Sequence, residues 1–355
     1  MPFFSNLLKP PAYLKLPTFG LDISDRSFKY ITFKAMPQGF RVEHHHTGEI
    51  PAGLITNGVI QDIPALADIL RSALSSLPYR HAALALPEEK GFIRTIRMPR
   101  IAPEELREAV TLQLEEYVPL PPEETAFDYH LLPTPSDSKT INVLIAAFPS
   151  SVLAGYKSVL EQAGFMPTSF EIESQAIARS IIPSSEYQET VLVIDIGLTR
   201  TSFLFAKDGY AQFTSTIPLG GTTMHAAIAK TLQIDEAQAE QIKKDHGLSR
   251  TKESMPIFEA LLPVVQEIKE EVQRRTQFWK DEMGADVSRV YLCGRDANLT
   301  GLPRHLSSQL NIPVALANVW INAITSPEYV PEIEFRDSLG YATSIGLALG
   351  GMENT

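Results

Sequence analysis

One segment of this chain occurs twice, and nothing else constrains its fold as strongly. Gly20-Leu21-Asp22-Ile23-Ser24-Asp25-Arg26-Ser27 ends an apolar run in an aspartate and a turn of small or polar residues. Val193-Ile194-Asp195-Ile196-Gly197-Leu198-Thr199-Arg200-Thr201 does the same a domain's length later. Similar elements follow each copy. After the first come an alternating strand (Phe28 to Lys34), a turn at Pro37 to Gly39 and a third strand from Phe40 to His46. After the second come a return strand (Thr201 to Ala206), an Asp208-Gly209 hairpin turn and a strand from Tyr210 to Pro218. Helical spacing succeeds each meander, at Ile63, Leu66, Ile69, Leu70, Ala73 and Leu74 and again from Met224 to Leu232. The pattern predicts two duplicated α/β domains.

The chain's punctuation divides it. Pro2 to Pro17 reads as an extended arm, residues 1–17, and the polar connector Ser184 to Glu189 separates lobe 1 (18–183) from lobe 2 (189–337). Within lobe 1, His81 to Pro87 is a strand. Pro103 to Tyr117 is a helix with Glu104 and Glu105 in its first turn, and Ile141 to Phe148 is another strand; about 91–148 reads as an inserted subdomain. In lobe 2 a second insert is expected over about 226–287. It contains a helix over Ile257 to Phe278 that Pro263 kinks or begins.

Composition narrows the function. A chain of 355 residues, 44% hydrophobic, builds its core without staples, and its single cysteine, Cys293, excludes a disulfide framework. A net charge of -11 disfavours nonspecific nucleic-acid binding. Neither a membrane-spanning stretch nor a signal peptide is read, so a cytoplasmic protein is expected. No Gly-x-x-x-x-Gly-Lys-Ser/Thr loop, Gly-x-Ser-x-Gly elbow or His-Glu-x-x-His motif occurs. On a strand only His44 and His46 of the His44–His46 triplet share a face, a poor metal site. Cys293 reads as an inert core residue, and Glu270 and Glu271 as i,i+4 surface partners of Arg274 and Arg275.

The repeated turns carry chemistry. A carboxylate ending a buried strand beside a tight turn sets an acid next to free backbone N–H groups, an arrangement suited to Mg²⁺ and phosphate together. Asp22 and Asp195 are therefore candidate Mg²⁺ residues, acting through water. Ser24, Ser27, Thr199, Thr201 and the amide of Gly197 are candidate phosphate donors. Gly220 and Gly221, between a strand and a helix, offer a second approach to phosphate. Val290 to Leu302, with Gly294, is a strand, turn and helix start on which adenine could lie. One such turn alone is an ordinary hairpin; two, in order, would clamp a triphosphate.

These segments in this order resemble the actin-like ATPase superfamily. That likeness implies a bilobed α/β fold of duplicated ribonuclease H-like domains, binding ATP with Mg²⁺. It places Lys29 at the family's usual lysine, Glu240 and Lys243 near the ribose, Arg295 against adenine and Glu173 as a weak candidate base. Glu173 to Ala178 and Ser338 to Gly351 correspond to the connecting helices, which returns residues 338–355 to lobe 1. Asp25, Arg295 and Asp296 depart from the pattern, since small or glycine residues are common there. Arg94 to Pro99, Glu104 to Leu106, Tyr117 to Pro119, Asp128-Tyr129 and Ala154 to Ala178 resemble the PilM family of type IV pilus assembly proteins. That resemblance implies an FtsA-like, SHS2-type insert and a cytoplasmic scaffold attached to the inner membrane only through partners. Its expected partner is the cytoplasmic tail of a PilN-like membrane protein, held in a groove beside the insert, with other pilus platform components as further partners. Two readings stay open at this point: a catalytic phosphotransferase of the same fold, and an adaptor that has lost nucleotide.

Overall fold

The computed structural model describes residues 16–186 and 188–353. The arm expected over residues 1–17 lies, apart from Leu16 and Pro17, outside the described residues.

The first half opens with an antiparallel meander of β1 (Thr18–Ile23), β2 (Ser27–Ala35) and β3 (Phe40–Glu49). A small hairpin, β4 (Ile55–Thr56) and β5 (Val59–Ile60), turns at Asn57 and Gly58, both at positive φ. Helix α1 (Ile63–Ala73) starts where the Asp62 carboxylate accepts the Ala65 N–H and Pro64 fills the first turn. β6 (His81–Leu86) follows. Then β7 (Phe92–Pro99), α2 (Pro103–Tyr117), β8 (Thr125–Leu131) and β9 (Thr140–Pro149) make a separate sheet, ordered β7-β9-β8. That sheet and α2 enclose their own core, with Val110 and Val143 fully buried. α3 (Ser150–Ala163) stops at Gly164 in the left-handed region, and β10 (Met166–Ile172) runs into α4 (Glu173–Ile181).

The second half repeats the plan. β11 (Val191–Ile196), β12 (Thr201–Lys207) and β13 (Tyr210–Ile217) form the meander. Helices α5 (Gly221–Leu232), α6 (Glu236–His246) and α7 (Met255–Met283) cover one face. β14 (Arg289–Cys293), α8 (Leu302–Leu310) and β15 (Val314–Leu316) complete it, and the short α9 (Phe335–Ser338) leads into α10 (Ala342–Glu353), which packs back on β1, β6 and α4 of the first half. The sheets run β10-β6-β1-β2-β3 and β15-β14-β11-β12-β13, each a meander extended by two parallel strands. This is the bilobed actin-like α/β architecture.

Alternation on β11 explains how the lobes join. Val191 and Val193 face a core shared with lobe 1, whereas Leu192, Ile194 and Ile196 face the helical side of lobe 2. Helices α4 and α10 cross where Gly346 meets the Ala176 carbonyl so closely that no side chain fits. Two local expectations are corrected. Glu271 is buried and gathers both Arg274 (2.6 Å) and Arg275 (2.5 Å), while Glu270 accepts from Gln266; helix α7 turns Glu271 inward. Pro263 does not begin α7, whose first turn, with Pro256, lies further upstream.

Candidate functional site

The two repeated turns face each other. Asp22 ends central strand β1 and Asp195 lies near the end of β11, and both line one cleft of about 540 Å³ between the lobes. Register places their neighbours: Lys29 on β2 stands opposite Asp22, and Cys293 on β14 pairs beside Asp195. Ser24, Ser27, Lys29, Glu173, Gly197, Thr199, Glu240, Gly294 and Arg295 also line this cleft. In the first turn the Ser24 hydroxyl donates to the Ser27 carbonyl (2.9 Å), and the Lys29 ammonium lies 3.4 Å from the Ser27 hydroxyl. The second turn is closed by the Gly197 N–H on the Arg200 carbonyl, 2.9 Å.

The electrostatics are those of acids short of a counter-ion. Burial raises the Asp22 carboxyl above its ordinary range against the pull of Lys29 and Arg200. Asp195 is pushed up to about 6, by burial first and by the charge of Asp22 second, with Arg200 and Lys29 opposing. Burial also holds Glu173 well above a normal carboxylate against Arg200, with Asp22, Glu89 and Glu88 adding to the shift. Two such acids, one from each lobe, fit a hydrated divalent cation, which supplies the positive charge that burial denies them. Among the described residues no three His, Cys, Asp or Glu side chains form a metal cage, His44–His46 included. A cation here would therefore complete its shell with water and ligand oxygens.

Four residues expected in the site stand back from the cleft. The Thr201 hydroxyl donates to the Leu219 carbonyl (2.6 Å) and is fully buried. The N–H groups of Gly221 and Thr222 donate to the carbonyls of Gly197 (3.0 Å) and Leu198 (2.8 Å), so the start of α5 props up the second turn. Gly220 packs against the same turn. Lys243 is buried, its ammonium on Asp296 and 2.8 Å from the His225 ring, so its charge is directed away from the cleft. The departures at Asp25, Asp296 and Arg295 also find partners. The Asp25 carboxylate accepts the N–H groups of Asn57 and Gly58, both 3.0 Å; Asp296 turns toward Lys243; Arg295 donates to Glu240 at 2.6 Å. Gly294, at φ +89°, has its Cα against the Asp195 carboxylate, a position only glycine fills.

The residue that sequence reasoning missed is Arg200. From the second turn its guanidinium reaches Glu89 (2.7 Å) and Glu173 (3.1 Å), and it lies 4.0 Å from Asp25. Those acids raise its pKa above the usual arginine value despite burial. The only available signal was a bulky cation in a turn otherwise built of small residues.

A second cavity, a groove of about 550 Å³, lies between the separate sheet and the main body of lobe 1. Phe127 and Tyr129 of β8, Phe170 of β10, Gln175 and Arg179 of α4, and Tyr210 of lobe 2 line it. The Tyr210 ring lies 4.6 Å from that of His130 on β8.

Two lobes of matching strand order, with an aspartate from each in one cleft, define a protein of the bilobed actin-like class. The sequence profile described as "Type IV pilus assembly protein PilM" matches residues 20–352. The chain belongs to this PilM family. A solved PilM-PilN type IV pilus biogenesis complex is similar at TM-score 0.82 and 24% identity, covering 95% of this chain and 99% of that one. MreB 5 of Spiroplasma citri bound to AMPPNP is similar at TM-score 0.57 and 15% identity, over 97% of this chain and 96% of that one. The cell division protein FtsA of Streptococcus pneumoniae serotype 2 (strain D39 / NCTC 7466) is 22% identical over 232 residues, 59% of this chain. That match takes in 50% of FtsA, so the chain spans about half the length of this relative. Among the described residues no helix is long and apolar enough to cross a membrane.

Proposed function

We propose that this protein is an ATP-binding scaffold of a type IV pilus or related secretion platform, which holds the cytoplasmic tail of a PilN-like inner-membrane protein. The observation that carries the nucleotide half is the shared cleft with Asp22 and Asp195 on opposite walls. Asp22 and Asp195 would hold Mg²⁺ through water. Ser27, Lys29 and Thr199 would meet the phosphates, Ser24 and Gly197 would shape the two turns through the hydrogen bonds that close them, and Glu240, Gly294 and Arg295 would meet the nucleoside. Bound Mg²⁺ would offset part of the negative charge of the two acids and the polyphosphate, with Lys29 lining the same cleft. Glu173 is held by Arg200, so it is not free to act as a base, which favours binding over turnover.

The tail-binding half rests on family membership and on the groove, whose lining mixes aromatic side chains (Phe127, Phe148, Phe170) with polar ones (Gln175, Arg179) and suits a short peptide segment. Membrane association would then come through the partner, with the protein itself on the cytoplasmic side. Isothermal titration with Mg²⁺ and AMPPNP tests the cleft, with Asp195→Ala as comparison. Equal affinity in both proteins would remove Asp195 from the site.

A further inference from the structure

The five-stranded sheet of lobe 1 has one end at the cleft, where β1 finishes beside Asp22, and the other end away from it. Strand register fixes what stands at that far end. Thr18 of β1 and Met166 of β10 both pair with His81 of β6, so these three strands start there, and the chain turns there between Ala35 of β2 and Phe40 of β3. The Phe40 N–H donates to the Ala323 carbonyl (2.9 Å), which brings the turn holding Ile321 to the same end. Four of the large apolar side chains that the fold leaves exposed lie here: Leu16 (49%), Met36 (47%), Met166 (62%) and Ile321 (39%). Single exposed apolar side chains are ordinary, but four gathered along one sheet end, about 20 Å across at the usual strand spacing, mark a contact surface. Lys34 and Arg80 are exposed beside them.

The sequence supplies what leads into this surface. Residues 1–15 run directly into Leu16 and carry Phe3, Phe4, Leu7, Leu8, Lys9 and Lys15, with no acid before Asp22 in a chain whose net charge is -11. Apolar side chains with adjoining lysines have the chemistry that enters the interface of an anionic bilayer. The apolar groups leave water for the acyl boundary, the ammonium groups stay among the headgroups, and stable attachment takes both signals. Even fully extended, Lys9 to Lys15 span at most about 25 Å, so the Phe3–Leu8 stretch and the sheet end can meet one flat surface. We propose that this end of lobe 1, together with the segment that precedes it, is a contact surface for anionic lipid. Lipid of that charge repels the rest of an acidic protein, so the contact also orients the molecule, with the far end of lobe 1 on the membrane and the cleft end open to solvent. This contact is additional to the one through a PilN-like partner and does not depend on the readings of the cleft or the groove.

The test is flotation of the full chain with vesicles of phosphatidylglycerol and phosphatidylethanolamine, with phosphatidylcholine vesicles as the uncharged control and neither nucleotide nor peptide present. Wild type should float with the anionic vesicles and not with the control, and added salt should release it. Phe3→Ser with Phe4→Ser should lower vesicle affinity about tenfold or more, and Lys9→Gln with Lys15→Gln about tenfold. Met166→Glu, at a position exposed to solvent, should weaken binding about threefold or more; circular dichroism of each variant checks folding. Absence of wild-type binding, equal binding to phosphatidylcholine, or undiminished binding by the phenylalanine pair or by Met166→Glu overturns the proposal. If no vesicle binds and the phenylalanine pair instead speeds hydrogen exchange at the starts of β1 and β10, the preceding segment covers its own sheet end. If light scattering shows a dimer that this pair dissociates, the segment covers a second copy. Either result refutes lipid contact.

Discussion

Replacing Asp195 by asparagine keeps the shape of the side chain and removes a charge that the fold accommodates poorly. The carboxyl's pKa is about 6 in the folded protein against an ordinary 3.8. The folded state therefore holds this proton more tightly than the unfolded chain does. The resulting penalty is nearly absent below about pH 4, grows as pH rises to about 6 and is constant above it. Full ionisation costs about 3 kcal/mol by this reckoning, and about 1–3 kcal/mol once partial solvent access at the cleft wall is allowed for. With unfolding entropy of ~2.1 cal/mol/K per residue over 355 residues, Asp195→Asn should raise the melting temperature by about 1–4 °C at pH 7.5 without nucleotide. The gain should fall to about a third of that at pH 4.5. Mg²⁺-AMPPNP should then stabilise wild type more than the variant, reversing the order. Differential scanning calorimetry at the two pH values, with and without ligand, checks each statement. An equal gain at both pH values would mean that the stabilisation is not electrostatic and would refute the account of the paired acids.

Other outcomes follow from packing. Gly346→Ala should destabilise the chain by about 2 kcal/mol or more, since its new methyl meets the Ala176 carbonyl where α4 and α10 cross; urea denaturation reads this. Gly294→Ala should weaken Mg²⁺-AMPPNP binding at least tenfold in calorimetry, because φ +89° and the Asp195 carboxylate both oppose a Cβ. Val143→Ala, in the fully buried core of the separate sheet, should cost about 1–3 kcal/mol. It should accelerate exchange across β7, β8 and β9 before it does so across β1 or β11. Tyr210→Ala should weaken the tail peptide severalfold in anisotropy titrations and leave AMPPNP affinity within about twofold, since Tyr210 lines only the groove.

Sequence by itself determined the duplication. Period-two alternation and short turn signals are local, so the two meanders, the Asp208-Gly209 hairpin and the helix over Pro103–Tyr117 could be read before any contact was known. The pairing of Asp22 with Asp195 was legible for the same reason, because a repeated unit puts equivalent residues at equivalent places. Hydrogen-bond destinations were not legible. The Thr201 hydroxyl and the first amides of α5 had the right chemistry for phosphate, yet tertiary packing gave them the carbonyls of Leu219, Gly197 and Leu198. Lys243 was drawn away from the cleft by Asp296, a residue far along the chain. Only the folded structure showed Arg200 between Glu89 and Glu173, for a long side chain selects its partner by distance in space, and one-dimensional spacing carries no record of that distance.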